Sequence, residues 1–165
     1  MTRVERWKEI PEFPGYSVSS HGRVVNDDTG RPLIVSENQA GVTMVGPTRS
    51  LKQHRRSLAL LVAQAFLETD NVPEAFDTPI HLDGDRWNNH VDNLMWRPRA
   101  FAIKYNNQFD RPPLIKVPIF EEETREEFPT SREAVIKYGL LEKDLCLSIM
   151  NRTYVWPTYQ IFHIL

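Results

Sequence analysis

The stretch that most constrains this chain is residues 79–96, PIHLDGDRWNNHVDNLMW. A short apolar run ends in one histidine, His81; the turn Asp83-Gly84-Asp85 follows, and an Asn-rich segment returns to Asn93-Leu94-Met95-Trp96. Asp initiates tight turns and Gly tolerates positive φ, so the spacing predicts a hairpin that holds one imidazole. Residues 97–108, RPRAFAIKYNNQ, predict a helix behind it, with Phe101 and Tyr105 at i, i+4 directed toward the strands. The order is strand, strand, helix.

Upstream, residues 1–28 read as a loop and then short strands. Val18, Val24 and Val25 suit a strand, and Gly22 supplies the positive φ of a hairpin turn. Residues 31–52 add two strand candidates about a polar turn at 37–41, which predicts one antiparallel sheet of three or four strands. Residues 57–68, SLALLVAQAFLE, contain no Gly or Pro and begin with a Ser at the N-cap position. Leu58, Leu61 and Ala65 share a helical face widened by Leu60 and Val62, so this is a buried helix.

Downstream, residues 109–113 (FDRPP) read as a linker, because two adjacent prolines cannot continue a helix. The expected division is 1–108, a linker at 109–113, and 114–165. The last part reads as strand 114–121, strand 125–128, two helices and a final strand. Thr130 and Glu133 form a capping box and Gly139 a C-terminal stop. The helices predicted at 131–138 and 142–150, joined by Gly139-Leu140-Leu141, have the lengths and turn of a helix-turn-helix.

Three segments carry a resemblance. The N-terminal wording W-K-x-I-P-x-F-x-G-Y-x-V-S-x-x-G-x-V resembles the type-4 nuclease-associated DNA-binding module. His81, with an asparagine twelve residues on at Asn93 and a helix after it, resembles the ββα (His-Me finger) half of HNH homing endonucleases of the phage, nicking type. Phe128-Pro129-Thr130-Ser131, Glu133-Ala134 and Ile149-Met150-Asn151-Arg152 resemble the type-1 nuclease-associated module. The resemblance implies an α+β chain: a small antiparallel N-terminal sheet, a ββα HNH-like centre and a C-terminal helix-turn-helix module.

It further implies His81 as general base and Asn93 as the residue that fixes its loop. A divalent ion, Mg²⁺ or Mn²⁺ if the chain cleaves, would stabilise the scissile phosphate. The family's metal-ligand positions fall here on Ile80 and Ala102, which carry no donor atom. Asp83 and Asp85 are candidate substitutes, as are Asn106 and Asn107, although turn chemistry accounts for Asp83. His90 lies off the family register and is expected to face solvent. Trp87 and Trp96 are expected to pack. The DNA-binding candidates are Arg86, Arg97, Arg99 and Lys104 around the hairpin, and Lys143, Ser148, Asn151 and Arg152 in the C-terminal helices.

Charge tempers this reading, since the net charge is -2 and the pI about 6.2, below the usual range of nucleic-acid binders. Basic residues cluster locally instead, first at Arg49, Lys52, Arg55 and Arg56 and again near the hairpin. One cysteine, Cys146, excludes an internal disulfide and a multi-cysteine zinc site. No apolar run is long enough for a membrane span, and the first residues lack the apolar region of a signal peptide, so an intracellular protein is expected, in host cytoplasm if phage-encoded. Three functions stay open: a double-stranded DNA binder with weak or lost nuclease activity, an active metal-dependent endonuclease using displaced ligands, and a phage particle or interaction component with a phage or host protein partner.

Overall fold

The computed structural model describes residues 3–165. Two compact units are present. The first holds the described chain up to His81 together with Asp85–Pro98, and the second holds Leu82–Gly84 and Arg99–Leu165. The division thus falls between Pro98 and Arg99, ahead of the Pro-rich stretch at 109–113.

In the first unit, β1 (Trp7–Glu9), β2 (Tyr16–Ser19) and β3 (Val24–Asn26) form an antiparallel sheet in that order. Gly22, at φ +85°, makes the β2–β3 turn. β1 occupies residues expected to be loop; all three of its side chains are exposed, so it has no apolar periodicity to read, and it is held by pairing with β2 and by Lys8 Nζ donating to Ala65 O at 2.7 Å. A second sheet has the order β4 (Ser36–Glu37), β5 (Thr43–Val45), β8 (Arg56–Ser57), and a separate hairpin joins β6 (Thr48–Arg49) to β7 (Lys52–Gln53). The single N-terminal sheet expected from sequence is therefore divided. Pro32 makes only an isolated bridge to Val25, and Gly46-Pro47 interrupts the strand between β5 and β6.

Helix α1 (Leu58–Phe66) starts at Ser57, whose hydroxyl accepts from the Leu60 amide. It buries Leu58, Ala59, Leu61, Val62 and Ala63 against Ile10, Phe13, Val18, Val24 and Val45. Val91 and Leu94 join the same cluster, so the central hairpin shares one core with the N-terminal strands. Each such apolar side chain contributes on the order of 1.5–3 kcal/mol when fully buried.

The hairpin pairs β9 (Thr78–His81) with β10 (Leu94–Arg97), His81 lying opposite Leu94. In the second unit, α2 (Arg99–Gln108) buries Phe101, Ala102 and Tyr105. The Tyr105 hydroxyl donates to Leu82 O at 2.7 Å. β11 (Ile119–Glu121) sits between β12 (Glu127–Phe128) and β13 (Phe162–Ile164). The strand expected over 114–121 is only three residues long because Leu114 and Ile115 donate their amides to side chains, Glu142 Oε1 and Ser131 Oγ.

α3 (Ser131–Tyr138) has the capping box read from the sequence, Thr130 and Glu133 each bonding back to the other's backbone, and ends at Gly139 in the left-handed region. α4 (Glu142–Asn151) follows after Leu140 and Leu141. Phe128, Tyr138 and Phe162 form an aromatic cluster with ring centroids 6.0–6.4 Å apart. Among the described residues, no helix is long and apolar enough to cross a membrane.

Candidate functional site

His81 is the last residue of β9 and is buried. The side-chain alternation of a strand turns it to the opposite face from Ile80, which is fully buried. His81 Nε2 lies 2.9 Å from Asn89 Oδ1. An amide oxygen only accepts, so this contact puts the ring proton on Nε2. Asn89 is itself buried, and its Nδ2 donates to Thr43 Oγ1 of β5 at 3.1 Å.

The segment between the hairpin strands is built almost wholly from such polar contacts. Asp85 accepts from the Trp87 amide at 2.9 Å, and Asn93 Nδ2 donates to Asn88 O at 2.9 Å, which closes the return. Val91 N donates to Ser20 O at 2.9 Å, Arg86 Nη1 donates to Ala40 O, and Arg3 pairs with Asp92 at 2.7 Å. Gly22 approaches so closely that a Cβ there would lie 2.8 Å from the Asn89 Cβ. The N-terminal sheets therefore hold the His81 loop from two sides.

Asn89 escaped the reading of the sequence; its signal was only its place in an Asn-rich run, and Asn is usually exposed. His90, expected to face solvent, instead stacks on His21 at 4.6 Å and accepts the Asp92 amide at Nδ1, starting the short 3-10 turn Val91–Asn93. Trp96 packs as expected, but Trp87 is more than half exposed.

Two DNA-binding candidates are corrected. Arg97 is buried, with Nη1 donating to Trp96 O at 2.9 Å and its guanidinium 5.8 Å from the Phe76 ring centroid, so it has no free face for a phosphate. Ser148 is 3% exposed and donates to Leu145 O, because it lies on the inner face of α4 with Leu145. The i, i+4, i+7 spacing of Leu141, Leu145 and Ser148 marks that inner face in the sequence. Arg86 is half-buried and spent on Ala40 O. Arg99, Lys104, Lys143, Asn151 and Arg152 are exposed.

Of the substitute ligands, Asp83 and Asp85 are exposed, Asn107 is exposed, and Asn106 is half-buried. Ile80 and Ala102 are both buried and offer no oxygen or nitrogen. Among the described residues, no group of three or more His, Cys, Asp or Glu side chains is arranged to hold a metal ion. The donor set at the family's ligand positions does not fit a divalent cation, which requires several oxygen ligands.

Residues 5–57 match the NUMOD4 motif. Two uncharacterized HNH endonucleases of Acanthamoeba polyphaga mimivirus, L245 and L247, are 30% identical over 93 residues and 31% identical over 96. Those matches cover 56% and 57% of this chain but only 27% and 24% of the relatives, so the chain spans about a quarter of the curated proteins it matches. The solved structure of the HNH homing endonuclease I-HmuI shares the fold with a TM-score of 0.55 at 20% identity, over 97% of this chain and 98% of that one. Motif, sequence relatives and fold point the same way: the chain carries a NUMOD4 motif, is similar to HNH endonucleases over part of their length, and shares the fold of an HNH homing endonuclease.

Proposed function

We propose that the chain binds double-stranded DNA through an HNH nuclease scaffold whose cleavage chemistry is weak or lost. The observation that carries this reading is Ile80: a fully buried aliphatic side chain next to His81, where the resemblance calls for a metal ligand. A bound divalent ion supplies several kcal/mol of charge stabilisation to phosphodiester hydrolysis, and each ~1.4 kcal/mol is a factor of ten in rate, so its loss costs many orders of magnitude. DNA binding is supported by the NUMOD4 match and by the I-HmuI fold, that protein being one that binds and cleaves DNA. The exposed Arg99 and Lys104 on α2, and Lys143, Asn151 and Arg152 at α4, are the phosphate and groove contacts in this reading. α3 and α4 serve as the helix-turn-helix.

A second reading, an active nuclease, is favoured by the support His81 receives: a buried imidazole oriented by a buried amide is the arrangement a general base needs. One assay separates the two. Supercoiled plasmid is incubated with Mg²⁺ or Mn²⁺ and the wild type, His81→Ala, or the double variant Ile80→Asp/Ala102→Asn. The proposal expects nicking only from the double variant. Wild-type nicking abolished by His81→Ala would establish the active enzyme instead.

A further inference from the structure

The β6–β7 hairpin stands outside both three-stranded sheets of its unit. Its register, Arg49 opposite Lys52, leaves Ser50 and Leu51 as a two-residue turn, and both adopt positive φ, 53° and 62°. Asn-Gly or Gly-containing pairs ordinarily make such turns, because a side chain beyond Cβ is strained there. Leu51 is nevertheless at the tip with a relative exposure of 102%, the most exposed large apolar side chain among the described residues. Strain and full exposure of an apolar group are both costs, and the fully exposed Leu51 side chain buries nothing against its own unit in return.

The base of the hairpin is fixed. The Thr48 amide donates to the Tyr16 hydroxyl at 3.1 Å, His54 N to Pro47 O at 2.9 Å, and Arg49 Nη1 to Glu12 O at 3.3 Å. The Arg49 guanidinium lies 5.5 Å from the Phe13 ring centroid. A rigid stem thus presents an unburied apolar tip.

The charges carried by the segment itself are one-signed. From Asn38 to Leu67 the chain has no Asp or Glu, whereas Arg49, Lys52, Arg55 and Arg56 all fall within it, although the whole chain carries a net charge of -2. Arg56 pairs with Glu12. Lys52 and Arg55 are exposed and enter no ion pair among the described residues; Arg55 donates to Ser36 Oγ at 3.2 Å. An apolar tip between cations matches a duplex groove, whose walls are phosphates and whose floor is base-pair edges between which an apolar wedge can insert to reach the stacked faces.

We propose that the β6–β7 hairpin is a duplex-DNA contact in which Leu51 wedges between neighbouring base pairs while Lys52 and Arg55 hold the flanking phosphates. This rests on the DNA-binding reading above and assigns it a mode.

The test uses the full chain and a short duplex that the wild type selects from a randomised pool. Affinity is followed by fluorescence anisotropy across a salt series, and unstacking by the linking-number change left in plasmid relaxed with topoisomerase in the presence of the protein. Leu51→Ala is expected to bind roughly tenfold more weakly with an unchanged salt slope and to lose the linking-number change. Lys52→Gln and Arg55→Gln are each expected to lower the log–log salt slope by about 1. A Leu51→Ala chain that matches wild type in both affinity and unwinding would overturn the wedge while DNA binding stands. Wild-type binding with a salt slope that Lys52→Gln and Arg55→Gln leave unchanged would remove the hairpin from the interface. Failure to select any duplex overturns the DNA-binding reading and the wedge together.

Discussion

His81 is held in place by a residue that is itself held: its ring meets Asn89, and Asn89 meets Thr43 from a different strand. Removing the middle member takes a buried partner from each of its neighbours, Thr43 Oγ1 keeping its bond to Arg86 O, so Asn89→Ala is expected to cost about 1–3 kcal/mol in urea unfolding, and Thr43→Val less. A readout specific to orientation is the ring's tautomer: long-range ¹H–¹⁵N spectra should show His81 protonated at Nε2 in the wild type and a mixture of tautomers in Asn89→Ala. A single unchanged tautomer in the variant would mean that Asn89 does not orient the ring. At the N-terminal sheet, hydrogen bonds from the Arg23 guanidinium hold Glu5 at about 2, well below its ordinary 4.5, against a smaller opposing effect of burial. The depressed value means the fold favours the carboxylate. The stabilisation is present in full above pH 4.5 and disappears as pH falls toward about 2. Glu5→Gln should flatten that part of the stability–pH curve; an unaltered curve would show the pair to be inert.

The elements were unevenly legible. α1 and α3 could be read closely because each carries its own punctuation, Ser57 in one case and the Thr130–Glu133 box with Gly139 in the other. β1 could not, since its wholly exposed side chains leave no period, and the split of the N-terminal strands depends on pairings between distant residues. The 109–113 stretch read as a linker because Pro112 and Pro113 bar a helix; what local sequence does not show is the tie from elsewhere. Arg132 donates to Gln108 O and Arg111 O and pairs with the buried Glu142 at 2.8 Å, while Glu142 also accepts from the Leu114 amide. Glu142→Ala leaves Arg132 without its partner and is expected to destabilise by about 3–5 kcal/mol. Under native conditions the conservative Glu142→Gln should speed amide exchange at Leu114, and rates equal to wild type would show that segment to be held by something else.

For the whole molecule, charge distribution matters more than net charge. A chain of pI about 6.2 whose residues 38–67 lack any acid offers one basic segment within an otherwise balanced surface. Duplex affinity should therefore fall by at least about tenfold between 50 and 200 mM salt, less than for a uniformly basic protein. A salt-independent affinity would point to contacts other than phosphate. His81 and Asn93 were visible in the sequence as a spaced pair, but the buried fates of Arg97 and Ser148 were not, because a residue type that suits DNA says nothing of which way its side chain turns. The seam between Gly22 and Asn89, with Ser20 O receiving the Val91 amide, also bears on how such chains can be recombined. Residues 5–57 look like a portable cassette when matched as a motif, yet half of that seam lies inside them and half outside. Grafting in a foreign cassette would therefore exchange one wall of the histidine's housing, and such hybrids should work only when the donor brings a glycine and a hydroxyl at the positions of Gly22 and Thr43.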